Sequence, residues 1–383
     1  MSEAVAAQPI AFIDLQAQRA RIDDALRARV DDVLAHGRFI LGPEVTELEG
    51  RLAEFAGADY AVCCANGTDA LLLSLRALGV GPGRAVLVPS FTFCATAEAV
   101  VLCGATPVFV DVEPTSFNID GPALSGGIEF CREQSLDLVG VIAVDLFGQP
   151  SPYGELHSIA AKHDLWVVAD GAQSFGAEVD GKRVGSMARV TTASFFPAKP
   201  LGCYGDGGAV LTTDPGIAEI VRSLRSHGKG RHKYDNVRIG YNSRLDTLQA
   251  AILLAKLDIF EDELRRRTAV ARRYSEALAD VVQIPWLQEN VLSAWAQYTL
   301  VFEHGQREAV AGSLRAAGIP TAIYYPRPLH KQTAYAQYPV VGGGLIVSEA
   351  LAGRVLSLPM HPYLEADVQD RVVSGVRAAL EQP

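Results

Sequence analysis

Apolar residues repeat with two different periods along this chain, and the switches between them outline its elements. Leu15, Ile22, Leu26, Val30 and Val33 recur at helical spacing, and Gly37 ends the run. Val45, Leu48, Leu52 and Phe55 repeat the pattern up to Gly57, which puts one apolar stripe on each of two helices. Short β-like runs then alternate with helical stretches. Strands are predicted at Tyr60 to Cys64, Ala85 to Val88, Pro107 to Val112, Leu138 to Val144, Leu165 to Ala169, Thr191 to Phe196 and Ala209 to Thr213. Helices are predicted from about Thr68 to Leu78, Thr92 to Cys103 and Tyr153 to His163. Strands separated by helices of roughly a dozen residues build βαβ units, hence an α/β fold with a mostly parallel sheet covered on both faces.

The pattern changes near Leu245. A long helical run, Leu245 to Leu278, ends the alternation. Beyond it, strands are predicted at Val281 to Pro285, Tyr298 to Phe302 and Thr321 to Tyr325, with helices near Arg307 to Ala317 and Asp367 to Leu380. The division expected is a large α/β domain over residues 1–250 and a smaller C-terminal α+β domain over 251–383.

Composition narrows the function. A net charge of −10 disfavours nucleic acid or an anionic membrane as partner, while leaving room for a small anionic ligand at a local basic cluster. No apolar run reaches the ~18 residues of a membrane span. Met1 to Pro9 contains Glu3 and no basic region, so no secretory signal is expected there. Cys63, Cys64, Cys94, Cys103, Cys131 and Cys203 show neither CxxC spacing nor histidine pairing, so no metal site is expected. They read as free thiols of a cytoplasmic protein, in which Asn66-Gly67-Thr68 would not be glycosylated.

Four stretches carry candidate chemistry. Asn66-Gly67-Thr68-Asp69 follows a strand and opens a helix. It can cap that helix, or its free amides, with Gly67 allowing close approach, can hold a phosphate. Asp170, in Asp170-Gly171-Ala172-Gln173-Ser174, ends an apolar strand. It can cap the next helix, or stand as a nearly buried acid requiring a cation where parallel-sheet ligands bind. Lys199 sits in a turn of apolar residues, Gly and Pro, five residues after Ser194. A loop lysine is usually just solvated, but in an apolar pocket its amine loses charge readily and can form a Schiff base. Ser194 is a plain strand serine or a phosphate ligand. Arg231-His232-Lys233 and Ile239-Gly240-Tyr241-Asn242-Ser243-Arg244 lie in a long loop before the second domain, a place where loops are usually functional, although Arg231 to Lys233 equally fit a solvated basic loop. An anion cradle, a strand-end acid and a pocket lysine on one α/β domain are the equipment for pyridoxal 5'-phosphate.

From about Ile10 to Pro362 the chain resembles the DegT/DnrJ sugar-nucleotide aminotransferases, within the three-layer, aspartate aminotransferase-like fold type I superfamily. The resemblance rests on Phe39-Ile40-Leu41-Gly42-Pro43-Glu44-Val45, Asn66 to Leu71, Pro89-Ser90-Phe91-Thr92-Phe93, Asp170 to Ala177, the Lys199 stretch and Asn242-Ser243-Arg244-Leu245. It implies that Lys199 bonds the cofactor aldehyde, Asp170 pairs with the pyridine nitrogen and Gln173 sits near the ring hydroxyl. It further implies that Phe93 stacks on the ring and that Gly67, Thr68 and Ser194 hold the phosphate, joined by Asn242 from a second subunit. A homodimer with shared active sites follows. Within the group, Ser194 to Gly208 and Asn242 to Leu257 are most similar to aminotransferases of UDP-2-acetamido-2-deoxy-3-oxo-glucuronate, which use L-glutamate in making O-antigen sugars. Arg244 then faces a substrate carboxylate. Where those enzymes commonly carry His-Tyr-Pro, this chain has Tyr324-Tyr325-Pro326 and then Leu329-His330, so Tyr324, Tyr325 and His330 are substrate-side candidates.

The same chemistry also suits a 4-keto-6-deoxy sugar nucleotide or a keto-cyclitol. A sugar dehydratase of this group would replace the lysine with histidine, and Lys199 is present. A non-catalytic regulator would be expected to carry a DNA-binding segment, whereas here the α/β pattern begins almost at once.

Overall fold

The computed structural model describes residues 9–232 and 234–381. The expectation for the first nine residues thus falls, Pro9 apart, outside the described residues, as does Lys233 of the basic stretch. Two helices lead in. α1 (Leu15–His36) starts where Asp14 accepts a hydrogen bond from the Ala17 amide and stops at Gly37, whose φ of 69° suits a residue without Cβ. α2 (Pro43–Ala56) has proline in its first turn and ends the same way at Gly57.

The strands are β1 (Tyr60–Cys64), β2 (Arg84–Pro89), β3 (Thr106–Val110), β4 (Asp137–Val144), β5 (Trp166–Asp170), the two-residue β6 (Glu178–Val179) and β7 (Lys182–Arg183), β8 (Val190–Ser194) and β9 (Gly208–Thr212). Between them run α3 (Gly67–Ala77), α4 (Ala95–Leu102), α5 (Gly121–Glu133) and α6 (Tyr153–Ala160), and α7 (Pro215–Leu224) follows β9. The main sheet has seven strands in the order β1-β9-β8-β5-β4-β2-β3. β9 is antiparallel to both neighbours and the other pairings are parallel, so every strand but β9 runs the same way. Burial alternates along the strands: Ala85 and Leu87 face one core with Val141, Val167 and Phe260, while Val86 and Val88 face the other with Ile142, Val168 and Leu73. That period of two is what a sheet covered on both faces requires.

α8 (Thr247–Leu278) joins two cores. Leu253, Leu254, Leu257 and Phe260 pack under the main sheet, and Val270, Tyr274 and Leu278 pack with Tyr298, Leu314, Leu356 and Val372. This second core lies around the antiparallel pair β11 (Tyr298–Val301) and β12 (Val355–Leu358), after the short β10 (Val291–Leu292) that pairs with β6, and is covered by α9 (Gln306–Ala316) and α11 (Ala366–Leu380). α10 (Ile346–Ala352) contributes Leu351 to a cluster with Phe91, Phe117, Phe147 and Val355 between the two cores.

Two expected strands are corrected. Val281 to Pro285 and Thr321 to Tyr325 make only the single bridges Gln283↔Val301 and Ala322↔Ser357. Prolines at 285, 320 and 326 withhold the amides a continued ladder would need. Conversely, α5 carries Gly121, Pro122, Gly126 and Gly127, a composition that hides a helix. Tertiary contact explains Gly127: a Cβ there would lie 2.8 Å from Leu87 Cδ2.

Candidate active site

The carboxyl ends of β1, β2, β4, β5 and β8 meet along one edge of the sheet, where ligands of open α/β sheets bind. At the end of β1, Asn66 caps α3 by accepting from the Asp69 amide at 2.8 Å, leaving the amides of Gly67 and Thr68 in the first turn. Ser194 ends β8 directly beside them. A Cβ on Gly67 would sit 2.6 Å from Ser194 Cβ and 3.0 Å from its Oγ, so this close approach requires glycine. Ser243 Oγ accepts from the Ala65 amide at 3.2 Å and thereby holds the loop bearing Asn242 and Arg244 next to the cradle. Asn242 is exposed and Arg244 half-buried, while Arg231 and His232 are exposed.

Asp170 ends β5 and is only 5% exposed. Its Oδ2 accepts from Thr96 Oγ1 at 2.8 Å and its Oδ1 from the Ala172 amide at 3.3 Å. Burial raises its pKa, opposed by these donors and by Lys199. Among the described residues no cationic side chain lies within ion-pair distance of it, so a buried carboxylate here calls for a cation from a ligand. Lys199 supplies the complementary group. Its side chain is half-buried in the turn after β8, and burial pushes its amine below the ordinary lysine range, against the pull of Asp170. A lysine shifted that way is a better amine nucleophile and proton carrier near neutrality.

Gln173, one turn beyond Asp170, is fixed at both ends of its amide: Oε1 accepts from the Phe147 amide at 2.6 Å and Nε2 donates to Tyr325 Oη at 3.3 Å. Phe93 leaves its ring 53% exposed, with its centroid 6.2 Å from that of Tyr325. Tyr325 in turn packs against Phe91 and Tyr324. This open aromatic face beside a buried acid and a lysine fits a flat heteroaromatic ring.

His330 is placed differently from the other sequence candidates. Its Nδ1 pairs with Ser90 Oγ at 2.7 Å and its Nε2 with Glu349 Oε1 at 3.1 Å, and its own amide donates to Ser90 Oγ. With both ring nitrogens engaged, it ties the end of β2 to α10. Two buried residues at the site escaped sequence reading. Thr96, in the first turn of α4, has no local signal pointing at Asp170 74 positions away. Asp145, just past β4, went unread although it shows the same strand-end acid pattern that singles out Asp170. It accepts from Ser174 Oγ, Tyr153 Oη and the Ser151 amide, each at 2.7 Å, and its own amide donates to the Asp170 carbonyl. Burial raises its pKa to about 6 despite those donors.

A lysine amine in a half-buried crevice, a buried carboxylate without a cation, a glycine–serine anion cradle and an exposed ring define an α/β enzyme of the Schiff-base-forming class. The chain belongs to the DegT/DnrJ/EryC1/StrS aminotransferase family, which it matches over residues 20–377. It is similar to the UDP-2-acetamido-2-deoxy-3-oxo-D-glucuronate aminotransferase of Pseudomonas aeruginosa, with 49% identity over 93% of this chain and 96% of that one. A DegT DnrJ EryC1 StrS aminotransferase from Brucella abortus superposes with a TM-score of 0.95 at 51% identity, covering 97% of this chain and 100% of that one. NtdA from Bacillus subtilis, solved with bound cofactor PMP, superposes with a TM-score of 0.88 at 29% identity, covering 97% and 83%.

Proposed function

We propose that this chain is a pyridoxal-phosphate aminotransferase that moves the amino group of L-glutamate to C3 of UDP-2-acetamido-2-deoxy-3-oxo-glucuronate. The observation that carries this reading is the buried Asp170 opposite Lys199, at the same sheet edge as the Gly67–Ser194 cradle. When bound, the cofactor supplies an aldehyde carbon for the amine and a ring that absorbs electrons.

The chain's own residues do the rest. Gly67, Thr68 and Ser194 hold the phosphate through first-turn amides and a hydroxyl. Asp170, kept in place by Thr96 and Ala172, would pair with the pyridine nitrogen and favour its protonated form. Phe93 would cover a face of the ring, and Gln173, braced by Phe147 and Tyr325, would stand near the ring hydroxyl. Lys199 Nζ, whose partial burial lowers its pKa, would hold and move the proton at the α-carbon of glutamate. The reverse proton movement, at C3 of the sugar, completes the exchange: glutamate and keto sugar become 2-oxoglutarate and amino sugar.

Arg244 is assigned to the uronate carboxylate, which a guanidinium grips in bidentate fashion, with Tyr324 and Tyr325 lining the sugar side. Asn242, exposed on its own chain, reaches the phosphate of a second subunit in a homodimer. Six free cysteines support a reducing, cytoplasmic setting. Among the described residues no helix is long and apolar enough to cross a membrane. The deciding experiment supplies purified enzyme with glutamate and, separately, the UDP-3-keto uronate and a dTDP-4-keto-6-deoxy sugar, and follows 2-oxoglutarate and the aminated sugar by mass. Absence of turnover with any 3-keto sugar nucleotide would overturn the substrate assignment.

A further inference from the structure

A second lysine stands behind the turn that carries Lys199. Lys256 lies in the middle of α8 with 0% exposure, one of the largest fully buried side chains of the protein. Its Nζ donates to the Gly202 carbonyl at 2.6 Å and sits 3.9 Å from the centroid of the Tyr204 ring. A buried ammonium is costly unless paired, so its presence in an apolar setting requires a compensating purpose.

The turn it touches is narrow and closed at its base. The Phe195 amide donates to the Gly207 carbonyl and the Cys203 amide to the Phe195 carbonyl. Gly202 is wedged so closely that a Cβ would lie 2.6 Å from the carbonyl oxygens of both Phe196 and Pro197. Those are the residues just ahead of Lys199, whose amide donates to the Phe196 carbonyl at 2.9 Å. Gln249, two helical turns before Lys256, meets the same turn, accepting from the Tyr204 amide at 2.9 Å. Gly202 is therefore pulled toward α8 on one side and pressed against the Lys199 limb on the other.

We infer that Lys256 is a positioning residue for Lys199: its ammonium anchors the Gly202 carbonyl and so holds the return limb of the turn against the limb that presents the Lys199 amine. The groups facing Lys256 are Glu263 on α8 and Cys203 and Tyr204 on the turn, and Tyr204 in turn senses Arg19 and Asp23 of α1. Burial draws the Lys256 ammonium down to about 8, with Glu263 and Cys203 opposing.

This inference rests on the assignment of Lys199 to the cofactor, and the test separates the two. Lys256→Met keeps length and removes the charge and donor. In the apoprotein, amide exchange of peptides covering 197–206 is expected to rise by about tenfold or more while the sheet peptides are unchanged. In the holoenzyme, the midpoint pH of the bound cofactor's visible absorbance is expected to move by about half a unit or more. In the same holoenzyme, kcat should fall about tenfold with KM for glutamate within about twofold. If Lys256→Met does not fold, Tyr204→Leu, which removes the ring under the ammonium, takes its place with the same criteria. Wild-type exchange in 197–206 together with a wild-type midpoint, whatever the melting temperature, would overturn the proposal. A Lys199→Ala protein that keeps the cofactor's visible absorbance refutes the Lys199 assignment instead, and apoprotein exchange still decides the role of Lys256 in the turn.

Discussion

Gly67 opens α3 just past β1 and Ser194 ends β8, the two strands that flank β9, yet a single methyl on Gly67 would collide with the Ser194 side chain at 2.6 Å. The cradle is this approach. Gly67→Ala must push α3 away from β8 or twist Ser194 off its rotamer, and such overpacking costs about 1–3 kcal/mol. The expected outcome is a cofactor dissociation constant raised by about tenfold or more, measured by fluorescence titration of the apoprotein. Wild-type affinity would remove the cradle from the phosphate site.

Thr96 is the residue that keeps Asp170 aimed into the crevice. Thr96→Val preserves shape and removes the 2.8 Å hydrogen bond to a carboxylate, an interaction worth about 1.5–3 kcal/mol. kcat/KM for glutamate should fall by about tenfold, with far-UV circular dichroism unchanged. A variant with wild-type kcat/KM would show that Asp170 needs no second anchor beyond the Ala172 amide.

Asp145 gives the protein a pH signature opposite to that of an ion-paired carboxylate. Its folded pKa of about 6 lies above the reference value of 3.8. The folded state therefore holds the proton more tightly, and stability contributed by protonated Asp145 is lost as pH rises from about 4 to about 6. Asp145→Asn removes this dependence. The difference in unfolding free energy between variant and wild type, from urea midpoints, should shift in favour of the variant by about 2 kcal/mol between pH 4 and pH 7. A difference that stays flat across that range would contradict the raised pKa.

Asn242 tests the assembly. Its own chain leaves it exposed, although the adjacent Ser243 is tied to Ala65 of the same chain. Lys199→Ala and Asn242→Ala homodimers, each weakly active, should regain about a quarter of wild-type activity when unfolded and refolded together, because half of the dimers then form as heterodimers with one intact site of two. Activity no higher than the sum of the parents would place Asn242 in its own subunit's site.

The sequence alone determined the α/β alternation and the long helix at the junction, and it singled out Lys199, Asp170, Gly67 and Ser194 as candidates for the chemistry. Each of these shows itself locally: by apolar period, by a glycine opening a helix, by an acid ending an apolar strand, by a lysine among uncharged neighbours. The failures were equally physical. Helix α5 was hidden because its glycines run against helix propensity, and the one that packs on the sheet, Gly127, answers to Leu87 across the fold. The segments at 281–285 and 321–325 read as strands because apolar composition cannot reveal that the pairing partner is missing. Only the tertiary structure decided that Thr96 serves Asp170, that His330 is spent between Ser90 and Glu349, and that Lys256 lies behind the Lys199 turn. These are contacts over tens to hundreds of residues, and their energy depends on distance and burial, which no window along the chain contains.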